Sequence, residues 1–406
     1  MNTVEILRAN RSGLQALDNQ TLHPMKLDSV LSLTGWVRGV GSCSPYFHFK
    51  SRFQAQNCDL SRKQVDQSVA NLEIHELPAA RGCTYIVPKH HFGIALALAQ
   101  FPDDEPKMDT GERNLGFTWE QINKLKAAVL DSLKSGPADP RQLKETLGDK
   151  VTSYGADGKK YGITTDLPGV LQRLQKEGRI RRIPLDGRLD NERYAYTLWE
   201  ENPLADFKLT KPELQAKLAQ LYFNWIGPAS LEEFVWFSGF SKRDAKVAME
   251  TNNLVEWQPG YFAFQTHSDG LANFEPENSS NPQFLTCLDN LILLTRNLAL
   301  HIDDADRPLV AQIEGKEVPK GSLFDLDNHP IFDRGRLVGL WAYDQPNQEL
   351  VYTAWGSDKD LIAQRAAETQ TYIKEQLGDA RSFSMDSTKS RQPRINLLRE
   401  QPNYHG

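Results

Sequence analysis

Four cysteines, Cys43, Cys58, Cys83 and Cys287, are scattered through 406 residues with no C-x-x-C and no Cys/His spacing of the zinc or iron–sulfur kind. Neither a structural metal nor a disulfide framework is expected, and the thiols read as reduced and mostly buried. No run approaches the ~20 apolar residues of a membrane-spanning helix, so no membrane partner is expected. The amino terminus, MNTVEILRAN, lacks a basic segment followed by an apolar one, which argues against an export signal and for a cytoplasmic location. P-loop, H-E-x-x-H and G-x-S-x-G motifs are missing, and Gly39-Val40-Gly41 lacks the third glycine of a dinucleotide fingerprint. No cofactor is implied, and no catalytic residue is identified by motif. An excess of positive charge is lacking too: 47 Lys and Arg against 53 Asp and Glu leave a net −6. A chain of this balance can neutralise phosphate only by gathering cations locally on one face.

What the sequence does contain is a weak internal repeat pairing residues 117–198 with 210–264. In the first copy, Thr118-Trp119-Glu120-Gln121 is a capping box opening a helix with Trp119, Ile122, Leu125, Val129 and Leu133 at helical spacing. Gly136-Pro137 stops it. Asp139 then caps a short helix with Pro140 at its first position, and a third helix begins near Asp166-Leu167-Pro168 and ends at Gly178. Arg179–Ile183 and Arg193–Leu198 read as a β-hairpin. The second copy repeats the order: Thr210-Lys211-Pro212-Glu213, then Gly227-Pro228-Ala229-Ser230 in the place of Gly136-Pro137-Ala138-Asp139, then a short hairpin across Pro259-Gly260. Three helices followed by a hairpin is the order of a winged helix.

A fainter unit has a helix at 60–72 and strands at 74–77 and 84–87. Residues 266–282 are polar and read as a linker, and alternation within 330–355 predicts two strands around Gln345–Gln348, followed by a helix over 358–377. The fold class expected is α+β, mainly helical tandem winged-helix units, two or three in number, with a small C-terminal antiparallel cap. The expected division is a 1–110 N-terminal region, winged helices at 117–200 and 210–265, a cap at 283–380 and a flexible basic tail at 381–406.

The strongest basic cluster is Arg173, Lys176, Arg179, Arg181 and Arg182, against the single acid Glu177, on the expected recognition helix and hairpin. Such a cluster suits phosphate contacts, which set register before any base is read. Lys242, Arg243 and Lys246 hold the corresponding helix of the second copy. Trp36, Tyr46 and Phe47 lie near Arg38, Arg52 and His48, a mix suited either to stacking on a displaced base or to core packing. His48, His90 and His91 have no spaced partner and read as structural or surface residues. Double-stranded DNA is the expected partner of a monomer.

Several islands resemble the AlkZ and YcaQ group of winged-helix DNA glycosylases. Arg81-Gly82 followed by Cys83–Val87 is similar to that group's Arg-Gly-Thr-Leu-His-Leu-Val stretch, with Tyr85 in place of the histidine. Ile226–Ser230 with Trp236–Gly239, Leu285–Leu294 with its central Asp289, and Asp333–Trp341 resemble further islands, in order, from about residue 8 to 356. The resemblance implies DNA binding and excision of alkylated or crosslinked bases. It also implies Gln-x-Gln or Gln-x-Asp upstream of an Arg that ends a short helix. Counted back from Arg52, those positions hold Arg38 and Val40. A guanidinium has no acceptor and valine no polar atom, so neither can position the water that base excision needs, although Arg38 can hold a phosphate. A DNA-binding member with that motif lost is the leading reading. A transcription regulator binding one specific site and a non-catalytic protein-interaction scaffold stay open as alternatives.

Overall fold

A helix precedes the first of three units that share one order, and the computed structural model shows that order in residues 3–18, 26–100, 108–276, 279–318, 325–356 and 358–401, with the backbone of 404–405. After α1 (Thr3–Leu14), the first unit runs α2 (Leu27–Thr34), β1 (Val37–Arg38), α3 (Ser44–Ala55), α4 (Arg62–Ala70), β2 (Ile74–Pro78) and β3 (Thr84–Pro88). Its sheet has the antiparallel order β1-β3-β2, placing Arg38 opposite Tyr85 and Glu76 opposite Ile86. Two connecting helices, α5 (Phe92–Ala99) and α6 (Thr110–Asn114), lead to the second unit: α7 (Trp119–Ser132), α8 (Pro140–Leu147), α9 (Gly155–Lys159), α10 (Leu167–Lys176), β4 (Ile180–Pro184) and β5 (Tyr194–Leu198). The third is α11 (Lys211–Ile226), α12 (Leu231–Ser238), α13 (Lys242–Thr251), β6 (Val255–Gln258) and β7 (Tyr261–Ala263).

The two tetrapeptides that mark the repeat do the same work twice. Pro ends the extended entry, Ala pairs with the hairpin, and the polar fourth residue caps the next helix. Ala138 bridges Tyr196, and Ala229 bridges Phe262. Asp139 accepts from the Gln142 amide at 2.9 Å and Ser230 from that of Glu233 at 3.1 Å, each completing a capping box. The pairing of this short segment with the hairpin is the single-residue counterpart of β1 against β3.

The remainder comprises α14 (Gln265–Leu271), β8 (Gln283–Phe284), α15 (Asn290–Leu293), α16 (Arg307–Glu314), β9 (His329–Asp333), β10 (Arg336–Asp344), β11 (Glu349–Ala354), α17 (Lys359–Tyr372), α18 (Thr388–Arg399) and β12 (Tyr404–His405). The strands form an antiparallel sheet in the order β12-β11-β10-β9-β8. Two expectations change here. The 266–282 stretch, whose positions 277 and 278 lie outside the described residues, begins as the helix α14 rather than as linker. The basic stretch after 381 is not a free arm over 388–399. Ile395 and Leu398 are buried, Arg391 holds Asp379 at 2.8 Å, Arg394 holds Asp386 at 2.6 Å, and Arg399 reaches Asp344 at 2.9 Å. Its cations look unpaired in sequence because some of their acids come from distant strands.

One apolar core joins the first and third units, where Trp36, Tyr85, Tyr222, Trp225 and Phe237 are all buried. A second joins α2 and α3 to the C-terminal sheet and α17, and the second unit has a core of its own, from Phe117 to Ile180. Trp36, Tyr46 and Phe47 therefore pack rather than stack on a base; each is at most 1% exposed.

Arg52, expected on DNA, is fully buried and forms an ion pair with Asp289, donating to one carboxylate oxygen at 2.9 Å and also to the other. It donates as well to the Gln15 carbonyl at 3.1 Å and to Gln15 Oε1 at 3.0 Å. Burial pushes the Asp289 carboxyl up, but Arg52 and the surrounding hydrogen bonds hold it well below the usual carboxylate range. Burial and Arg52 together bring His48 down to about 4, so its contact with Asp289 at 3.7 Å is not an ion pair at neutral pH.

Arg52→Ala is expected to destabilise the chain by about 3–5 kcal/mol, because it strands a buried carboxylate; urea denaturation at neutral pH reads this directly. Burial also holds His329 at about 4 and His75, His91 and His301 at about 3. Since an unfolded histidine titrates near ~6.5, these neutral side chains contribute stability that is complete above that value and lost as the pH falls from there toward about 3. Denaturation midpoints should fall between about pH 7 and pH 5, and an unchanged midpoint would show that the histidines do not stay neutral in the fold.

Candidate nucleic-acid interface

The residues expected to touch phosphate separate into three environments. Arg52 lies in the core. Arg173 on α10 is committed to Glu112, donating to both carboxylate oxygens at 2.6 Å, with Trp119 against its guanidinium at 5.6 Å. Lys176, at the end of that helix, is half-buried, and its carbonyl accepts from Gln100 Nε2 at 3.2 Å. Arg179, Lys242, Arg243 and Lys246 are exposed; Lys242 approaches Glu232 at 3.7 Å and Lys246 approaches Glu250 at 3.9 Å. Pairs this exposed contribute only about 0–1 kcal/mol and leave the cations available.

Arg181 and Arg182 point to opposite sides of β4. Arg181 lies over the Trp199 ring at 5.6 Å. Arg182 turns toward the first unit, 3.6 Å from the Glu76 carboxylate, 3.3 Å from Thr84 Oγ1 and 4.4 Å from the Tyr194 ring centre. Burial pushes the Glu76 carboxyl up, while Arg182 opposes the shift. This buried pair docks the second unit's hairpin on β2 and β3. The loop between β4 and β5 adds Leu189, which is buried and whose amide donates to the Tyr46 hydroxyl at 2.8 Å.

A different set of cations converges on the other face of the first sheet. Arg38 on β1 places its guanidinium 5.4 Å from the centre of the Tyr85 ring. Arg81, in the turn between β2 and β3 with a left-handed φ of 58°, stacks on Trp236 of α12 at 3.5 Å, and Arg296, following α15, stacks on the same ring at 4.3 Å. Burial and the like charges of Arg38 and Arg296 push the Arg81 pKa down, while Tyr85 and Asp325 oppose them. Asp325 is paired with Arg296 at 2.5 Å. Gly239, also left-handed at φ 72°, gives Arg81 its place: a Cβ there would come within 2.7 Å of the Arg81 Cγ.

Three permanent cations held around Tyr85 and Trp236 donate hydrogen bonds and accept none. The arrangement can grip a phosphate or flank an aromatic base, and the carboxylate beside it, Asp325, is engaged with Arg296. Val40, two residues beyond Arg38, is half-buried, and its carbonyl accepts from the Ser384 amide at 3.0 Å. Arg38 was visible in the sequence as a candidate. Arg81 and Trp236 stood inside islands of resemblance without being singled out, and Arg296 had no local signal, because only the fold brings residues 38, 81, 236 and 296 together. Among the described residues, no group of three His, Cys, Asp or Glu side chains could hold a metal ion, and no helix is long and apolar enough to cross a membrane.

Comparison with known proteins gives two findings. A family model described as DNA glycosylase AlkZ-like matches residues 44–373. The solved structure of Streptomyces sahachiroi DNA glycosylase AlkZ resembles this one with a TM-score of 0.65 at 19% sequence identity, over 94% of this chain and 98% of that one. At that identity the likeness is one of fold. No curated protein matches the chain in sequence.

The Glu76–Arg182 pair is testable on its own. Arg182→Gln is expected to destabilise the fold by about 3–5 kcal/mol at neutral pH, and adding Glu76→Gln should recover part of that loss, since both ends of the buried pair are then neutral. A double-mutant cycle by urea denaturation measures the coupling, and additive losses would remove the pair as the dock.

Proposed function

The chain belongs to the DNA glycosylase AlkZ-like family, and from that premise we propose that it binds duplex DNA as a monomer, recognises alkylated or crosslinked bases, and has lost the family's base-excising motif. The observation that carries the reading is the guanidinium cluster of Arg38, Arg81 and Arg296 around Tyr85 and Trp236. Arg38 stands where the resemblance places a glutamine, and Tyr85 where it places the histidine. Excision passes through a sugar with developing positive charge, which a water-activating amide or carboxylate stabilises and a guanidinium repels. The same guanidinium is well made for a phosphate, which it meets with a planar fork of donors. Arg179, Lys242, Arg243 and Lys246 are exposed and would extend the contact along the backbone.

The reading revises which cations matter. Arg52, Arg173 and Arg182 are engaged inside the protein with Asp289, Glu112 and Glu76, so their loss would act on folding before it acted on DNA. With a net charge of −6, sequence-independent affinity must come from a few cations at fixed places, and binding should be strongly salt-dependent.

The test uses duplexes carrying an alkylated purine, an abasic site or no damage, with binding and alkali-labile strand breaks measured together. Binding that weakens steeply with salt is expected, without base release. Arg38→Gln, Arg81→Gln and Arg296→Gln combined should lower affinity and shallow the salt slope by about one unit per phosphate contact removed. Base release above control would overturn the loss of catalysis, and an unchanged slope in the triple variant would remove the cluster from the interface.

A further inference from the structure

On the far side of the second unit's hairpin, a cleft of about 500 Å³ opens where that hairpin, α5 and the 199–207 connector meet. Its volume lies in the range of small-ligand sites. Leu72, Phe92, Ile94 and Phe207 give it apolar walls, and Trp199 adds an indole. Gly93 makes it possible: a Cβ there would come within 2.9 Å of the Pro203 carbonyl and 3.0 Å of Phe207, so only glycine lets the connector close on α5. Asn202 fixes the connector in turn, donating to the Glu177 carbonyl at 2.9 Å and accepting from the Leu204 amide at 2.8 Å. The cleft is therefore a shaped one, with pinned walls.

Arg181 is the feature that asks for a ligand. Its guanidinium is half-buried beside Trp199, and among the described residues no side chain or carbonyl accepts a hydrogen bond from it. Burial pushes its pKa down, and the exposed Glu200 on the rim is the acid whose charge opposes this. Lys89 and His90 stand exposed on the same rim, with His90 Nε2 bonded to Ser32 Oγ at 3.1 Å. Arg182, its neighbour on β4, is engaged with Glu76, whereas Arg181 lines the open cleft.

We propose that this cleft binds a nucleotide, with the phosphate on Arg181 and Lys89 and the base against the Trp199 and Phe207 rings. A partly desolvated guanidinium with open donors favours a phosphate through charge-assisted hydrogen bonds, and an aromatic wall beside it favours a planar base. Glu201 and Asp206, on the connector side, are acceptors for the amino groups of a base. The nucleotide can be free or one residue of a single strand, since both present the same phosphate and ring. The site is separate from the Arg38–Arg81–Arg296 cluster and does not depend on how that cluster is used.

The test titrates the full chain with deoxyadenosine 5′-monophosphate, deoxyadenosine, inorganic phosphate and a short deoxyadenosine oligonucleotide, by calorimetry and by saturation-transfer NMR. Saturable binding of the monophosphate is expected, tighter than that of the nucleoside and competed by phosphate. Arg181→Gln should weaken it by about tenfold or more, the loss of a charge-assisted hydrogen bond, and Lys89→Gln should weaken it less. Lys134→Gln, a surface charge on another side of the second unit, should leave it unchanged. An oligonucleotide that binds more tightly than the monophosphate assigns the site to a strand, and the reverse assigns it to a free nucleotide. Failure of both to bind at millimolar concentration, or equal binding by the folded Arg181→Gln variant and the parent, overturns the proposal.

Discussion

The buried network of Arg52, Asp289 and Gln15 is the constraint on which the arrangement of the units rests. Its members come from α3, the cap of α15 and the end of α1. Gln15 Nε2 extends it to the carbonyls of Thr34 and Trp225 at 2.9 and 2.8 Å, and Asn290 donates to that Thr34 carbonyl at 2.9 Å. Gly35, which follows Thr34, has a left-handed φ of 92° and sits against the Trp225 ring, where a Cβ would approach to 3.1 Å. A buried ion pair gains little net stability over an apolar contact of the same shape, but breaking one side of it is costly, and its geometry admits few alternatives. Here that geometry fixes the first unit, the third unit and the C-terminal sheet relative to one another.

The second unit is held differently. Its core is separate; its hairpin meets the first unit through the Glu76–Arg182 pair and Leu189 against Tyr46, and meets the C-terminal region through Arg188, which donates to the Leu377 carbonyl at 2.8 Å while paired with Asp190. Cations that a reader of the sequence would send to DNA are thus the means by which the units dock. In a chain with a net charge of −6, many arginines are matched to carboxylates inside, and few are left for an external polyanion. Those few include Arg38 and Arg81 beside Tyr85 and Trp236, Arg179 before β4, and the exposed cations of α13, while Arg296 on the same Trp236 ring is paired with Asp325.

The first unit's sheet sorts its charged side chains by face. A sheet that presents Arg38 and Tyr85 side by side can fix a phosphate or flank a base, and both are acts of recognition. Glu76, the buried carboxyl of that sheet, faces the opposite side and is paired with Arg182, and Asp325, beside the cluster, is paired with Arg296. One small sheet is thus divided into a face that carries Arg38 and Tyr85 and a face, with Glu76, on which the second unit docks.

Much of the architecture was legible because its signals are local. Capping boxes at Thr118, Asp139 and Ser230, the Gly-Pro-Ala tetrapeptides, and the alternation around Gln345–Gln348 depend only on neighbours in the chain, and the helices and strands they imply are those observed. The α+β class and the family resemblance followed from the order of such elements. The fate of each charge was not legible. Arg52, Arg173 and Arg182 read as cations on a surface, and α18 as a loose basic arm, because acids they pair with lie 12 to 237 residues away in sequence. The sequence by itself determined which segments would be helix, strand and turn, through propensity, capping and period. Only the tertiary structure decided which arginines were neutralised inside and which were left to meet a ligand, because an ion pair across the fold is set by where the packed elements bring two side chains, and packing is a property of the whole chain.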